Sequence, residues 1–304
     1  MIDVNKSVLD KIDNVFIRNL GYEVYVKRDD LLHDQLSGNK WRKLALMYNE
    51  LKDSDVNRNI ITFGGAFSNH LPAVAFLANQ LGLASFGVVR GEIDDKENNI
   101  LGLCRRYGMQ LLECPRSIYK EKDQSEWFKD SFKAYTNKYI IPEGGANELG
   151  IDGCKAIVEE VQKELNFDYI SIDCGTGATL AGMVRALKPE EKAIGIQVLK
   201  ADDFISPYVL SKNGKDNFDK FEVFNEFHGG GYAKKDQDII KFMQYFNDEF
   251  NIRLDPVYTA KQFYGMFELM KRKYFPKGSV IVLVHSGGMI GLKGFEKRYG
   301  IEIY

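Results

Sequence analysis

Lys40 follows Ser37-Gly38-Asn39 and opens a segment, 41–51, in which Trp41, Leu44, Ala45 and Tyr48 recur at helical spacing. Ser37-Gly38 reads as a turn and Asn39 as an N-cap, so the lysine sits at a helix start, where a cation opposes the helix dipole. The positive helix end lowers the pKa of the amine and favours its free form, which attacks a carbonyl carbon to give a Schiff base. By spacing alone, a solvated lysine on a helix is the better fit. Gly175-Thr176-Gly177-Ala178-Thr179 lies between an apolar stretch and an Ala-containing helical one. Its glycines allow close backbone approach, and the N–H groups of a helix start together with the threonine hydroxyls make a site for an anion. It is neither a dinucleotide fingerprint, since Leu180 stands in the last glycine position, nor a P-loop, since Met183 and Val184 replace the lysine and hydroxyl residue. An ordinary strand-to-helix turn is the competing reading.

Three further loops carry polar groups. Gly64-Gly65 followed by Ser68-Asn69-His70 makes a second cradle for a carboxylate or phosphate, or a plain N-cap by Ser68. His285-Ser286-Gly287-Gly288 and Asp255-Pro256-Val257-Tyr258-Thr259 each read as a loop with a buried hydroxyl or aromatic group. His228-Gly229-Gly230-Gly231-Tyr232 reads as a flexible connection.

These loops need elements to hold them. Strand-like stretches at 59–63, 85–89, 109–112, 139–141, 168–173, 193–198 and 279–284 alternate with helical ones at 71–80, 98–107, 120–135, 151–165, 179–187 and 262–272. Such alternation predicts an α/β fold of open, mostly parallel sheets with helices on both faces. Ligands then bind outside the carboxyl ends of the strands, where these loops lie. The chain has 304 residues, 44% hydrophobic and 28% charged, with a formal net charge of −2. That composition is globular and shows no basic clustering, so no nucleic-acid partner is expected. The N-terminus has no long apolar run, and the Val280–Val284 run is too short to span a bilayer. A soluble cytoplasmic protein without a membrane partner is expected. Cys104, Cys114, Cys154 and Cys174, and the four histidines, lack metal-site spacing, so no metal is expected.

Taken together, the segments resemble one family, the fold-type-II pyridoxal-phosphate enzymes, and within them the aminocyclopropane-carboxylate deaminase and D-cysteine desulfhydrase group. Six motifs occur in the family's order from about Tyr25 onward: Lys27-Arg28-Asp29-Asp30; Ser37 to Leu44; Gly64-Gly65 with Ser68-Asn69-His70; Ile141-Pro142-Glu143-Gly144-Gly145; the Gly175 loop; and Asp255-Pro256-Val257-Tyr258. The resemblance implies a two-domain, tryptophan-synthase-β-like architecture, with a large domain of about 1–52 plus 152–304 and a small one of about 53–151. It implies pyridoxal 5'-phosphate bound between them, a small amino acid as substrate, and a homodimer.

It also implies roles. Lys40 is the Schiff-base lysine and proton shuttle. Asn69 bonds the phenolic oxygen of the cofactor, and Gly175, Thr176, Gly177, Ala178 and Thr179 cradle its phosphate. Thr259 is the partner of the pyridine nitrogen. Ser68, Asn69 and His70 hold the substrate carboxylate, Tyr258 and Tyr232 flank the substrate, and Ser286 faces its side chain. The ring-opening deaminases resemble one another in carrying Glu at the position of Thr259 and Leu at that of Ser286, whereas the desulfhydrases carry hydroxyl residues at both. A neutral hydroxyl leaves the pyridine ring a weaker electron sink. That suits loss of a good leaving group from Cβ, so β-elimination on D-cysteine is expected first, giving pyruvate, ammonia and sulfide. 1-Aminocyclopropane-1-carboxylate deamination is the alternative, followed by a dehydratase or racemase acting through the same lysine. A non-catalytic cofactor-binding protein has no use for the substrate-facing hydroxyls, and a nucleotide-binding reading of the Gly175 loop stands furthest off.

Overall fold

The computed structural model describes residues 2–36, 38–54, 56–93 and 99–304. Ser37 of the lysine motif and Asn98, the expected start of one helix, lie outside the described residues. Ten strands are present among the described residues: β1 Leu9–Ile12, β2 Glu23–Lys27, β3 Asn59–Gly65, β4 Ser85–Arg90, β5 Gln110–Cys114, β6 Lys138–Ile141, β7 Tyr169–Cys174, β8 Lys192–Gln197, β9 Phe221–Phe224 and β10 Val280–Val284. They form a six-stranded sheet, β1-β2-β10-β7-β8-β9, and a four-stranded sheet, β5-β4-β3-β6. All pairings are parallel except β1 with β2. The α/β class and the mostly parallel pairing are as expected.

β10 shows why the larger sheet needs cover on both sides. Its five residues are all Val, Ile or Leu, the pattern of a strand buried on both faces. Ile281 and Leu283 enter one apolar core, while Val282 and Val284 enter the other. Each such side chain contributes about 1.5–3 kcal/mol on burial. In the smaller sheet, β3 likewise sends Ile60 into one cluster and Ile61 and Phe63 into another.

Several expectations are corrected. No single helix covers 120–135. A 3-10 segment, Tyr119–Gln124, is followed by a short helix, Glu126–Ser131. Ser125 separates them in extended backbone, and its hydroxyl accepts from the Phe128 N–H, which makes it an N-cap and not a helix interior residue. The stretch 151–165 is two helices, Glu148–Gly153 and Lys155–Glu164, bent where Gly153 packs on the Arg42 carbonyl. A Cβ at Gly153 would lie 2.2 Å from that oxygen. The lysine helix begins at Gly38, so Asn39 is a helical residue and not the N-cap. The strands β1, β2 and β9 and the helices Ile205–Asn213 and Gln237–Phe250 add to the elements expected from sequence. No helix among the described residues is long and apolar enough to cross a membrane.

Candidate active site

The lysine helix, Gly38–Lys52, is anchored before anything else is built on it. Gly38 packs so tightly on the segment after β2 that a Cβ would lie 2.2 Å from the Asp29 carbonyl oxygen, which only glycine permits. One turn on, the Arg42 guanidinium donates to both oxygens of Asp29, at 3.0 and 2.8 Å, and to both oxygens of Glu160, at 2.5 and 2.7 Å. Lys27 reaches Glu160 at 2.8 Å, and the Ser7 hydroxyl donates to Asp29 at 2.5 Å. Burial pushes the Asp29 carboxyl up, but the Arg42 guanidinium overrides it and holds the group below the usual carboxylate range. The Lys27-to-Asp30 motif is thus the socket for the helix, tying it to β2 and to the Lys155–Glu164 helix.

So held, Lys40 points into a cleft of about 510 Å³ between the carboxyl ends of β3 and β4 in one sheet and β7 in the other. Its Nζ donates to Asn39 Oδ1 at 3.0 Å and lies 6.0 Å from the centre of the Tyr258 ring. It makes no ion pair among the described residues. Its pKa falls to about 7, first through burial and then through the charge of Lys43, with Asp173 opposing. The lowered pKa is as expected, and burial and the Lys43 charge account for it. Lys43, one turn further, is buried in the same cleft, and its Nζ donates to the Gly144 carbonyl at 3.0 Å. Burial lowers its pKa as well.

The walls come from the loops. Beyond β3, Ser68 and His70 line the cleft, and the Ser68 hydroxyl accepts from the His70 N–H at 3.3 Å, opening the His70–Leu81 helix. The His70 Nε2 lies 2.9 Å from the Thr62 hydroxyl, which itself donates to the Ile141 carbonyl. Burial, with Lys40 and Lys43 nearby, drives its pKa to about 3, so the ring is neutral. Asn69 lies on an adjoining cavity of about 300 Å³, and its Oδ1 is buried without a partner among the described residues. After β7, Gly175, Thr176, Gly177 and Thr179 line the cleft, with Gly177 in left-handed backbone at φ +84° ahead of the Ala178–Val184 helix. Ala178 is wholly buried behind them. Gly144, whose carbonyl takes Lys43, faces Thr176, since a Cβ there would lie 3.4 Å from Thr176 Cγ2. Lys43 therefore stands close to this turn.

Tyr258 and Tyr232 close the cleft as an edge-to-face pair, centroids 6.1 Å apart, and the Tyr232 hydroxyl donates to the Phe67 carbonyl at 3.4 Å. Burial raises both phenols, Tyr258 most, so both keep their protons. Like Ala178, the predicted residues Thr259 and Ser286 do not line the cleft. Thr259 is fully buried, and its hydroxyl accepts from the Asp255 N–H at 2.8 Å and donates to Asp255 Oδ2 at 2.9 Å. The same carboxylate takes the N–H groups of Val257, Tyr258 and Thr259, so this knot fixes the Tyr258 turn. Ser286, at the end of β10, is also buried, and its hydroxyl donates to Asp173 Oδ1 at 2.5 Å.

Sequence reasoning missed Lys43 and Asp173. The signals were present: a second lysine at helical spacing from Lys40, and an acid near the end of an otherwise apolar strand. Among the described residues no cluster has the make-up of a metal site, and all four cysteines are free and buried. A desolvated amine without a carboxylate partner, an orphaned amide oxygen and a glycine turn beside a second lysine fit a ligand that carries both an electrophilic carbon and an anionic group.

Comparison with known proteins agrees. A family model described as pyridoxal-phosphate dependent enzyme matches residues 9–287. A putative 1-aminocyclopropane-1-carboxylate deaminase of Pyrococcus horikoshii is 32% identical over 294 residues, covering 90% of this chain and 87% of that protein. A bifunctional D-cysteine desulfhydrase/1-aminocyclopropane-1-carboxylate deaminase of Arabidopsis thaliana, mitochondrial, is 31% identical, covering 90% of this chain and 74% of that one. The crystal structure of an ACC deaminase homologue superposes with a TM-score of 0.78 at 28% identity, covering 97% of this chain and 93% of that chain.

Proposed function

Because the chain belongs to the pyridoxal-phosphate dependent enzymes, we propose that it is a lyase that removes the Cβ substituent of a small amino acid, D-cysteine first, with 1-aminocyclopropane-1-carboxylate deamination as the alternative. The observation that carries this is Lys40: an amine on the wall of a large cleft, without an ion-pair partner among the described residues, with its pKa brought to about 7. Near neutral pH it is present both as nucleophile and as proton carrier. Bound at Lys40, pyridoxal phosphate supplies a carbonyl carbon and a ring that accepts electrons.

The residues of the chain do the rest. The Gly175–Thr179 turn, with Thr176 and Thr179 hydroxyls and the Lys43 ammonium, takes the phosphate. The Asn69 side chain takes the phenolic oxygen. Ser68 with the Asn69 and His70 backbone takes the substrate carboxylate, and neutral His70 adds no competing charge. Lys40 removes the proton from substrate Cα. Tyr258 and Tyr232, both protonated, flank Cβ and hand a proton to the departing group. With D-cysteine and water the products are pyruvate, ammonia and sulfide. Thr259 acts through the Asp255 knot that orients Tyr258, and Ser286 acts through Asp173. The units 1–52 plus 152–304 and 53–151, a homodimer and a cytoplasmic location belong to the same reading.

The test is pyruvate release by cofactor-loaded protein offered D-cysteine, 1-aminocyclopropane-1-carboxylate and, as stereochemical control, L-cysteine. Turnover of D-cysteine alone supports the first reading, and turnover of the cyclopropane substrate supports the alternative. Lys40→Ala should lose both turnover and the visible absorbance of the lysine-bound cofactor. If it keeps them, the assignment of Lys40 is wrong.

A further inference from the structure

Arg90, the last residue of β4, and Arg116, two residues beyond β5, are exposed where they line the Lys40 cleft, and among the described residues neither makes an ion pair. The backbone brings them side by side. The Gly91 N–H donates to the Cys114 carbonyl at 2.8 Å, which joins the two strand ends. Gly91 is in left-handed backbone at φ +85°, and a Cβ there would lie 3.0 Å from Arg116 Nε, so the Arg116 guanidinium rests against the residue next to Arg90. The Arg90 guanidinium lies beside the turn that leads to Ser68. A Cβ at Gly65 would lie 3.8 Å from its Nη2, and its Cζ is 5.9 Å from the centre of the Tyr119 ring. Its charge also reaches Tyr232, where it opposes the rise that burial causes in the phenol. The nearby acids do not neutralise the two arginines. Glu143 is taken by Lys122 at 2.6 Å, and Glu92, exposed on the same mouth, is in no ion pair among the described residues. Two like charges held together against one acid repel, and an anion placed between them relieves the repulsion.

We propose that Arg90 and Arg116 form a second anion subsite, which selects amino acids whose Cβ substituent ends in a carboxylate or a comparable oxyanion. The inference rests on the reading of this cleft as an amino-acid lyase site. In that reading the phosphate goes to the Gly175–Thr179 turn and the substrate α-carboxylate to Ser68 and its neighbours, so the arginines are left for a third anion. The Ser68 N–H donates to the Gly65 carbonyl at 2.9 Å, so the α-carboxylate cradle and Arg90 flank the same turn, and the Cβ substituent is the part of the substrate left to meet the guanidiniums. Guanidiniums suit the task, because each offers N–H donors in a planar fork that matches a carboxylate and neither titrates near neutral pH. D-cysteine, with only a thiol on Cβ, leaves the subsite empty, whereas an S-linked carboxylate fills it. Glu92 opposes the two arginines and so tunes the preference downward.

The experiment compares two cysteine thioethers that differ almost only in charge, S-carboxymethylcysteine and its amide S-carbamoylmethylcysteine, each as both enantiomers. Half-saturation is read from the change each makes in the visible absorbance of the cofactor-loaded protein, with pyruvate release as the second readout. The native protein should prefer the carboxylate by about tenfold. Arg90→Gln and Arg116→Gln should each lower that ratio toward one, and Glu92→Gln should raise it. A native ratio near one, an absorbance that responds to neither compound, or a ratio that falls in Glu92→Gln overturns the inference. Arginine variants that weaken both compounds equally overturn it as well, because they place the guanidiniums on the α-carboxylate that the two compounds share. Native protein that takes up the cofactor without the visible absorbance of a lysine-bound form overturns instead the reading on which it rests.

Discussion

Residues 27–43 hold two sets of buried charges with opposite fates. Short ion pairs join Arg42 to Asp29 and Glu160 and Lys27 to Glu160, and the Asp29 carboxyl is held below its usual range. Lys40 and Lys43, on the same helix as Arg42, make no ion pair among the described residues, and burial lowers the pKa of both. One helix thus presents a neutralised face to the protein and an unneutralised one to the cleft. Charge alone does not mark a functional site. A buried charge left without its counter-ion does, because the fold bears a desolvation cost that only a ligand relieves.

The comparison breaks most readily at Arg42. Arg42→Met leaves Asp29 and the contact edge of Glu160 buried against apolar atoms, and should cost about 3–5 kcal/mol, read as a lower midpoint in urea unfolding. Lys40→Met removes an amine that the fold desolvates, so the cofactor-free variant should unfold at the same or a higher urea concentration than native while turnover is abolished. If both variants lose stability alike, the two faces are not different in kind.

These faces also show what a sequence can and cannot disclose. The sheet order's raw material was legible, because β10, β7 and β3 are apolar runs bounded by glycine turns. The edge strand β9, four residues long, and the helix break at Ser125 were not, since short elements are decided by packing and capping and not by period. In the site, Lys40 and the Gly175 turn stood out by neighbouring glycines. Asp173 did not, because its meaning comes from Ser286, which is 113 residues away in sequence and meets it only when β7 and β10 pair. Thr259 is the converse: its hydroxyl is conspicuous in sequence, and in the fold it bonds Asp255.

Lys43 sharpens the comparison on a smaller scale. If its charge serves an anionic ligand, Lys43→Met removes one charge-assisted contact, about 1.5–3 kcal/mol. Cofactor affinity, measured by titrating the visible absorbance, should then weaken roughly tenfold to a hundredfold. Stability without cofactor should hardly change, because among the described residues the lysine donates only to the Gly144 carbonyl. Unchanged cofactor affinity would instead make Lys43 a structural donor to the Gly144 turn.

The smallest expected effect is a dependence on pH, and its sign follows from Lys40 alone. Below about 7 the amine is charged both in the folded and in the unfolded chain, and the native protein bears the full desolvation cost that Lys40→Met lacks. Between about 7 and the ordinary value of 10.5, the folded amine has lost its proton while the unfolded one keeps it. The unfolded state then binds more protons, so native stability rises with pH relative to the variant. Above 10.5 both forms are neutral and the difference levels off. Urea unfolding of the two cofactor-free proteins at neutral and alkaline pH should therefore show any advantage of Lys40→Met shrinking as pH rises. A difference that stays constant over that window would mean that Lys40 keeps its proton in the fold, and that its face of the helix is neutralised after all.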